Sequence, residues 1–298
     1  MAKRKRLKLG LALGSGGARG WCHIGALREL DEIGVRPDVI AGASMGALVG
    51  ALYAGGALDK LEEWALKLTA RSFLGMVDIR LSNGGLVEGG EILNVIRRLG
   101  IPDEMEDLPI PTALVATDMS TGREVWLTSG AVADCVRASV ALPGIISPFY
   151  LGERWLLDGG LTNPVPVSAC RVLGADVVIA INPNGRFDGT FWAEREQRTS
   201  ALFDGWKKRL PEQLSGLIAS DEDEIRTPEY LDVLSASIDI MTDHIRRSRL
   251  AGDPPHVLLD AHLAAMSVLE FHRAAEAIEE GRRLVRDNAG AIARAAGL

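Results

Sequence analysis

The sequence predicts an α/β protein with a mainly parallel central sheet and helices packed against it. Two observations carry the prediction. Apolar runs at Leu7–Leu13 and Val39–Ala43 each empty into a glycine-bearing turn and then into helical sequence, and a further buried run follows at Val177–Ile181. Strand-turn-helix order of this kind builds parallel strands joined by crossover helices. In addition, 47% of the 298 residues are hydrophobic, enough for a substantial core. One domain over residues 1–298 is expected, with a basic tail at 1–6 and an insertion or lid at about 185–228.

Leu7–Leu13 is the first strand, and it runs into Gly14-Ser15-Gly16-Gly17-Ala18-Arg19-Gly20. A loop this rich in glycine offers backbone N–H groups at close range. A dinucleotide fingerprint would need a third glycine where Arg19 stands, and a phosphate-binding P-loop would need a Lys followed by Ser or Thr. The third reading is an oxyanion hole made by N–H groups near Gly16 and Gly17. Trp21–Ile33 follows as a helix, with Ile24, Leu27, Leu30 and Ile33 roughly on one side and Gly34 closing it. His23 on that helix reads as a packing residue.

The second strand delivers Ser44 to a sharp turn before another helix. The spacing Gly42-x-Ser44-x-Gly46 suits a nucleophile elbow, because so tight a turn leaves no room for side chains two positions away. The hydroxyl then stands at a helix start, where free N–H groups and the helix dipole favour negative charge. The same stretch has a competing reading. It carries no charge from Val39 to Leu58, and Gly42, Gly46 and Gly50 recur every four residues, as in a membrane-spanning helix with a close-packing face. Its wealth of Ala and Gly, bracketed by Pro37 and Gly55-Gly56, favours strand-turn-helix.

Amphipathic spacing predicts helices over Leu58–Leu68 and Ile92–Leu99, the second after turns at Gly84-Gly85 and Gly89-Gly90. Thr112–Thr117 and Arg123–Leu127 read as a hairpin at a sheet edge. A short helix over Ala131–Ser139 precedes an apolar strand, Trp155–Leu157, that delivers Asp158-Gly159-Gly160. An acid at a strand end can face a cleft, although Asp-Gly-Gly is also a common turn. Asn163-Pro164-Val165-Pro166 leads into a helix ending near Leu173. Within 185–228 the pattern degrades, mixing Phe191, Trp192, Phe203 and Trp206 with Lys207-Lys208-Arg209 and an acidic run at 221–224. A helix over Tyr230–Leu250, a strand over Val257–Leu259 and a long helix over Ser267–Asn288 complete the chain.

The net charge of -7 argues against general nucleic-acid binding. Lys3 to Lys8 followed by an apolar run mimics a signal peptide, but Lys8 interrupts it and no small-residue cleavage site follows. A cytoplasmic chain is expected, with peripheral membrane contact through the basic tail and the aromatic insertion as a further option. Cys22, Cys135 and Cys170 lack paired or metal-type spacing and read as reduced core residues. No metal and no cofactor is expected, and oligomeric state is not encoded in any motif.

Taken in order, these motifs resemble those of the patatin-like phospholipase family, in particular bacterial members similar to the catalytic domain of neuropathy target esterase. The family's G-x-G-G-x-R-G falls on Gly14–Gly20, its G-x-S-x-G on Gly42–Gly46, its A-S-x-A-x-P on Ala138–Pro143 and its D-G-G on Asp158–Gly160. The resemblance implies a three-layer α/β/α fold and a serine hydrolase of lipid esters without a triad histidine. Ser44 would be the nucleophile, Asp158 its base, and Gly16 and Gly17 the oxyanion hole, supported by Gly14, Arg19, Gly42, Gly46, Gly159 and Gly160. Two rival readings stand beside it: a Ser-His-Asp esterase of small esters using His244, His256, His262 or His272, and a non-enzymatic membrane-surface binding protein.

Overall fold

A computed structural model describes residues 6–69, 89–185 and 230–298. The elements are β1 (Leu9–Leu13), α1 (Cys22–Glu32), β2 (Val39–Ala43), α2 (Met45–Ala54), α3 (Leu58–Leu66), α4 (Gly90–Leu99), β3 (Thr112–Asp118) and β4 (Glu124–Leu127). There follow α5 (Val132–Ser139), β5 (Phe149–Leu151), β6 (Arg154–Asp158), α6 (Val167–Val172), β7 (Val177–Asn182), α7 (Tyr230–Gly252), β8 (Val257–Asp260), α8 (Ala274–Asp287) and α9 (Ala289–Ala296). The strands form one sheet in the order β5-β6-β3-β2-β1-β7-β8, with β4 on the outer side of β3. The run from β3 to β8 is parallel, whereas β4, β5 and β6 pair antiparallel.

Side-chain size alternates along the parallel strands and sets the layers. Leu9, Leu11 and Leu13 of β1 join Ile40, Leu114, Ile179 and Ile181 in a core shared with α1, α2, α3, α8 and α9. The opposite face carries Ala12, Ala41, Ala43, Ala113 and Ala180, packed against Val167, Ala169 and Cys170 of α6. Large residues thus fill a thick helical layer, and each such Leu or Ile contributes about 1.5–3 kcal/mol by leaving water. Small ones let α6 approach closely: a side chain on Gly10 would meet Cys170 and Ala175. The result is an α/β/α arrangement.

The register around β3 creates the site. Val115 pairs with both Ala43 and Trp126, and Ala116 pairs with both Val125 and Asp158. A strand residue has only two edges, so β4 occupies one edge of β3 while β2 and β6 share the other. Those two strands meet end to end. The residue after β2, Ser44, and the last residue of β6, Asp158, are therefore brought to one junction.

The apolar run from Val39 divides into β2 and α2 as expected, and among the described residues no helix is long and apolar enough to cross a membrane. Other boundaries differ. The first strand begins at Leu9, and a 3-10 turn over Gly17–Trp21 precedes α1. β5 escaped sequence reading because three residues cannot display a period. The terminal segment holds a 3-10 turn at Phe271–Arg273 before α8, and then α9. The expected insertion except Gly185, the first five residues of the basic tail and the Gly84-Gly85 turn lie outside the described residues.

Candidate active site

Ser44 caps α2 with φ 54 and ψ -121, a conformation that costs a non-glycine residue about 1–3 kcal/mol. Its surroundings hold it there. The Ser44 N–H donates to Ser139 Oγ at 3.0 Å, and the Ser139 hydroxyl donates onward to the Val115 carbonyl at 2.6 Å. The Ser44 carbonyl accepts from the N–H groups of Ala47 and Leu48 at 2.9 and 3.1 Å. Close approach explains the flanking glycines: a methyl group on Gly42 would strike the Gly46 carbonyl, and one on Gly46 the Leu13 carbonyl.

Asp158 reaches the same junction from β6. Its Oδ2 accepts the Ser44 hydroxyl at 2.6 Å and its Oδ1 accepts the Gly160 N–H at 2.7 Å. The backbone is pinned as well, with the Asp158 N–H on the Ala141 carbonyl at 2.9 Å and its carbonyl accepting from Thr117 Oγ1 at 2.9 Å. Burial pushes the carboxyl up to about 6 against the opposing pull of the Ser44 and Gly160 hydrogen bonds. A methyl group on Gly159 would strike the Val115 carbonyl, and one on Gly160 would lie 2.9 Å from Ser15 Oγ and 3.0 Å from Asp158 Oδ1. The glycine pair lets the acid sit flush against β3.

The glycine loop passes over this pair. Gly14 N–H donates to the Ile181 carbonyl at 2.9 Å, Ser15 N–H to Pro164 at 2.8 Å and Ala18 N–H to Val268 at 2.8 Å. Between these anchors the N–H groups of Gly16 and Gly17 find no acceptor among the described residues. His23 Nε2 donates to the Gly14 carbonyl at 2.8 Å, and burial lowers its pKa to about 4, so it braces the loop as a neutral ring. Arg19 is tied on three sides: Nε to the Met266 carbonyl at 2.6 Å, Nη1 to Asn184 Oδ1 at 3.1 Å, and both terminal nitrogens to Asp239 at 3.1 and 3.0 Å.

A cavity of about 30 Å³ joins these parts, lined by Ser15, Gly16, Gly17, Ser44, Asp158 and Gly160 from the sheet side. Leu142, Leu161, Asn184 and Val268 add to its wall, and Ile238, Asp239 and Thr242 of α7 cover it. Such a volume has room for water, not for an acyl chain. His244, His256, His262 and His272 do not line it; His256 Nδ1 instead accepts the Val178 N–H at 3.0 Å. Among the described residues no three His, Cys, Asp or Glu side chains gather as a metal cluster. Sequence reading missed the roles of Ser139 and of Asp239 on the covering helix. A lone acid between Ile238 and Ile240 was the signal for the second.

The model of the family described as patatin-like phospholipase matches residues 11–171, more than half of the chain and inclusive of Ser44 and Asp158. The chain belongs to the patatin-like phospholipase family. Within reach of this family is an uncharacterized NTE family protein of Mycobacterium tuberculosis strain H37Rv, 35% identical over 93% of this chain and 90% of its own. The neuropathy target esterase sws of Drosophila melanogaster is 34% identical over 60% of this chain, and this matched part is 13% of the fly protein. Human patatin-like phospholipase domain-containing protein 6 is 30% identical over 76% of this chain and 16% of its own. Among solved structures, VipD from Legionella pneumophila overlays 97% of this chain and 67% of its own with a TM-score of 0.48 at 14% identity.

Proposed function

We propose that the protein is a serine acyl hydrolase of lipid esters, of the phospholipase A or lysophospholipase type, working through a Ser44–Asp158 dyad. The observation that carries this reading is the direct 2.6 Å hydrogen bond from Ser44 Oγ to Asp158 Oδ2 inside the cavity flanked by Gly16 and Gly17. Membership of the patatin-like phospholipase family and similarity to proteins named neuropathy target esterase support the substrate class.

Ser44 Oγ attacks the ester carbonyl while Asp158 takes its proton; the carboxyl then protonates the departing alcohol. Negative charge on the former carbonyl oxygen falls to the N–H groups of Gly16 and Gly17, each donor of this kind being worth about 3 kcal/mol of barrier. A carboxylate raised to about 6 is a stronger base than an ordinary aspartate near 3.8, and is still ionised at pH 7. Tyr150 and Trp155, 55% and 54% exposed on the strand pair that ends at Asp158, suit contact with a bilayer surface that supplies the substrate.

Intact-mass labelling by a fluorophosphonate, run beside p-nitrophenyl ester turnover, tests the reading. One adduct on wild type, none on Ser44→Ala, and lost turnover in folded Asp158→Asn are expected. Absence of an adduct on folded wild type overturns it in favour of a binding protein, and a histidine variant as inactive as Ser44→Ala replaces the dyad by a triad.

A further inference from the structure

We infer that Ser15 positions the water that releases the acyl group from Ser44, an assignment that rests on the hydrolase reading above. Ser15 is 6% exposed, and its Oγ has no hydrogen-bond partner among the described residues. The rest of the residue is fixed: its N–H donates to the Pro164 carbonyl at 2.8 Å and its carbonyl accepts from Asn184 Nδ2 at 3.0 Å. Only the hydroxyl lacks a partner among the described residues, and Ser15 is one of the residues that line the cavity holding Ser44 and Asp158. A buried hydroxyl left without a partner is costly, and the large majority in native proteins are hydrogen-bonded to protein or to ordered water.

The position of the hydroxyl selects that partner. A methyl group on Gly160 would lie 2.9 Å from Ser15 Oγ and 3.0 Å from Asp158 Oδ1, so hydroxyl and carboxylate flank the same glycine. Ser15 therefore stands beside the base. Once the alcohol has left, the group that must approach the base is water, and the cavity of about 30 Å³ is of the size that holds it. Water has two protons to place. One goes to Asp158 as the oxygen bonds to the acyl carbon; the other is held by Ser15 Oγ as acceptor, which aims the lone pair at that carbon. Collapse of the tetrahedral intermediate breaks the bond from acyl carbon to Ser44 Oγ, the serine oxygen recovers the proton from Asp158, and a free carboxylic acid departs.

Methanol separates this role from a structural one, because its single hydroxyl proton goes to Asp158 and it has no second proton for Ser15 to hold. The full chain is given a p-nitrophenyl ester in buffer with a fixed fraction of methanol, and methyl ester and free acid are quantified. Both products arise from one acyl-enzyme, so their ratio does not depend on the fraction of protein that is folded. Ser15→Ala is expected to raise the methyl ester to acid ratio about tenfold, the effect of losing one hydrogen bond to the attacking water. A burst of p-nitrophenol and an unchanged fluorophosphonate labelling rate accompany it. Ser15→Cys, which keeps bulk but accepts weakly, shifts the ratio the same way. An unchanged ratio in both variants overturns the assignment, as does slowed labelling at constant ratio, which moves Ser15 to the oxyanion. Wild type that takes no adduct at all is a different failure: the hydrolase reading falls, and this inference with it.

Discussion

Arg19 of the glycine loop grips Asp239 of the covering helix through both terminal nitrogens, at 3.1 and 3.0 Å, with only 4% and 9% of the two side chains exposed. The loop that carries Gly16 and Gly17 and the helix that lines the cavity opposite it are thus joined by one ion pair. Removing a single partner strands a buried charge, which costs about 3–5 kcal/mol. Arg19→Ala and Asp239→Ala are each expected to lose stability in that range by guanidinium unfolding. The double variant Arg19→Met with Asp239→Leu recovers most of it, leaving unpaired the Met266 carbonyl and Asn184 Oδ1 that Arg19 also serves. Single variants as stable as wild type would show that the pair is solvated.

α7 forms one wall of the cavity at Ser44. Ile238, 7% exposed, faces the cavity together with Thr242, while Val233, Ile240 and Met241 on the same helix are about half exposed. We predict that the acyl chain enters beside this helix. Ile238→Ala opens the cavity at a stability cost of about 2–5 kcal/mol. It is expected to raise kcat/KM for a long-chain p-nitrophenyl ester several-fold over that for the acetate. A chain-length profile identical to wild type would put the acyl path elsewhere.

The positive φ of Ser44 depends on Ser139. That hydroxyl is fully buried, accepts the Ser44 N–H and donates to the Val115 carbonyl. Ser139→Ala leaves a buried donor and a buried acceptor unpaired, at about 1–3 kcal/mol each. Unfolding should show that loss, and labelling of Ser44 by a fluorophosphonate should slow at least tenfold, since the elbow relaxes toward a less exposed hydroxyl. Slower labelling without lost stability would point to a direct contact of Ser139 with the reacting ester.

Much of this site is legible in local sequence because its parts obey steric rules that act over a few residues. Gly42 and Gly46 are required by contacts within one turn and with the end of β1, and so appear as a spacing around Ser44. The meeting of Ser44 with Asp158, 114 positions away, follows from two strands sharing an edge of β3, and no periodicity encodes that sharing. The motif suggested the pairing; the register supplies its cause. The cover illustrates the opposite case. The insertion or lid expected at about 185–228 lies, except for Gly185, outside the described residues, and α7, which lines the cavity, looks in sequence like an ordinary amphipathic helix. Its only mark is Asp239 between two isoleucines, whose partner Arg19 lies 220 positions earlier. Long-range polar pairs of this kind depend on topology, which is why they escape a reading built on neighbours.

Two buried groups titrate in opposite senses within the site, and this yields a pH prediction for activity and for stability. Asp158 rises from 3.8 to about 6 on burial, so kcat/KM should climb through an acid limb near pH 6 and level off above it. His23, lowered by burial from 6.5 to about 4, stays neutral across that limb and adds no second proton to it. For stability, the folded chain holds the Asp158 proton where the unfolded chain has already lost it, so this group destabilises the fold as pH rises from about 3.8 to 6. His23 does the reverse: below 6.5 the unfolded chain binds a proton that the fold refuses until about 4, so stability falls as pH falls. Each shift amounts to about 3 kcal/mol, and in wild type the slopes largely offset each other. Urea unfolding of wild type, Asp158→Asn and His23→Gln between pH 4 and 7.5 separates them. Asp158→Asn should gain on wild type as pH rises to 6 and keep that lead to 7.5, while His23→Gln should gain as pH falls below 6.5. An Asp158→Asn curve parallel to wild type would remove the raised carboxyl, and with it the reason for an activity limb near pH 6.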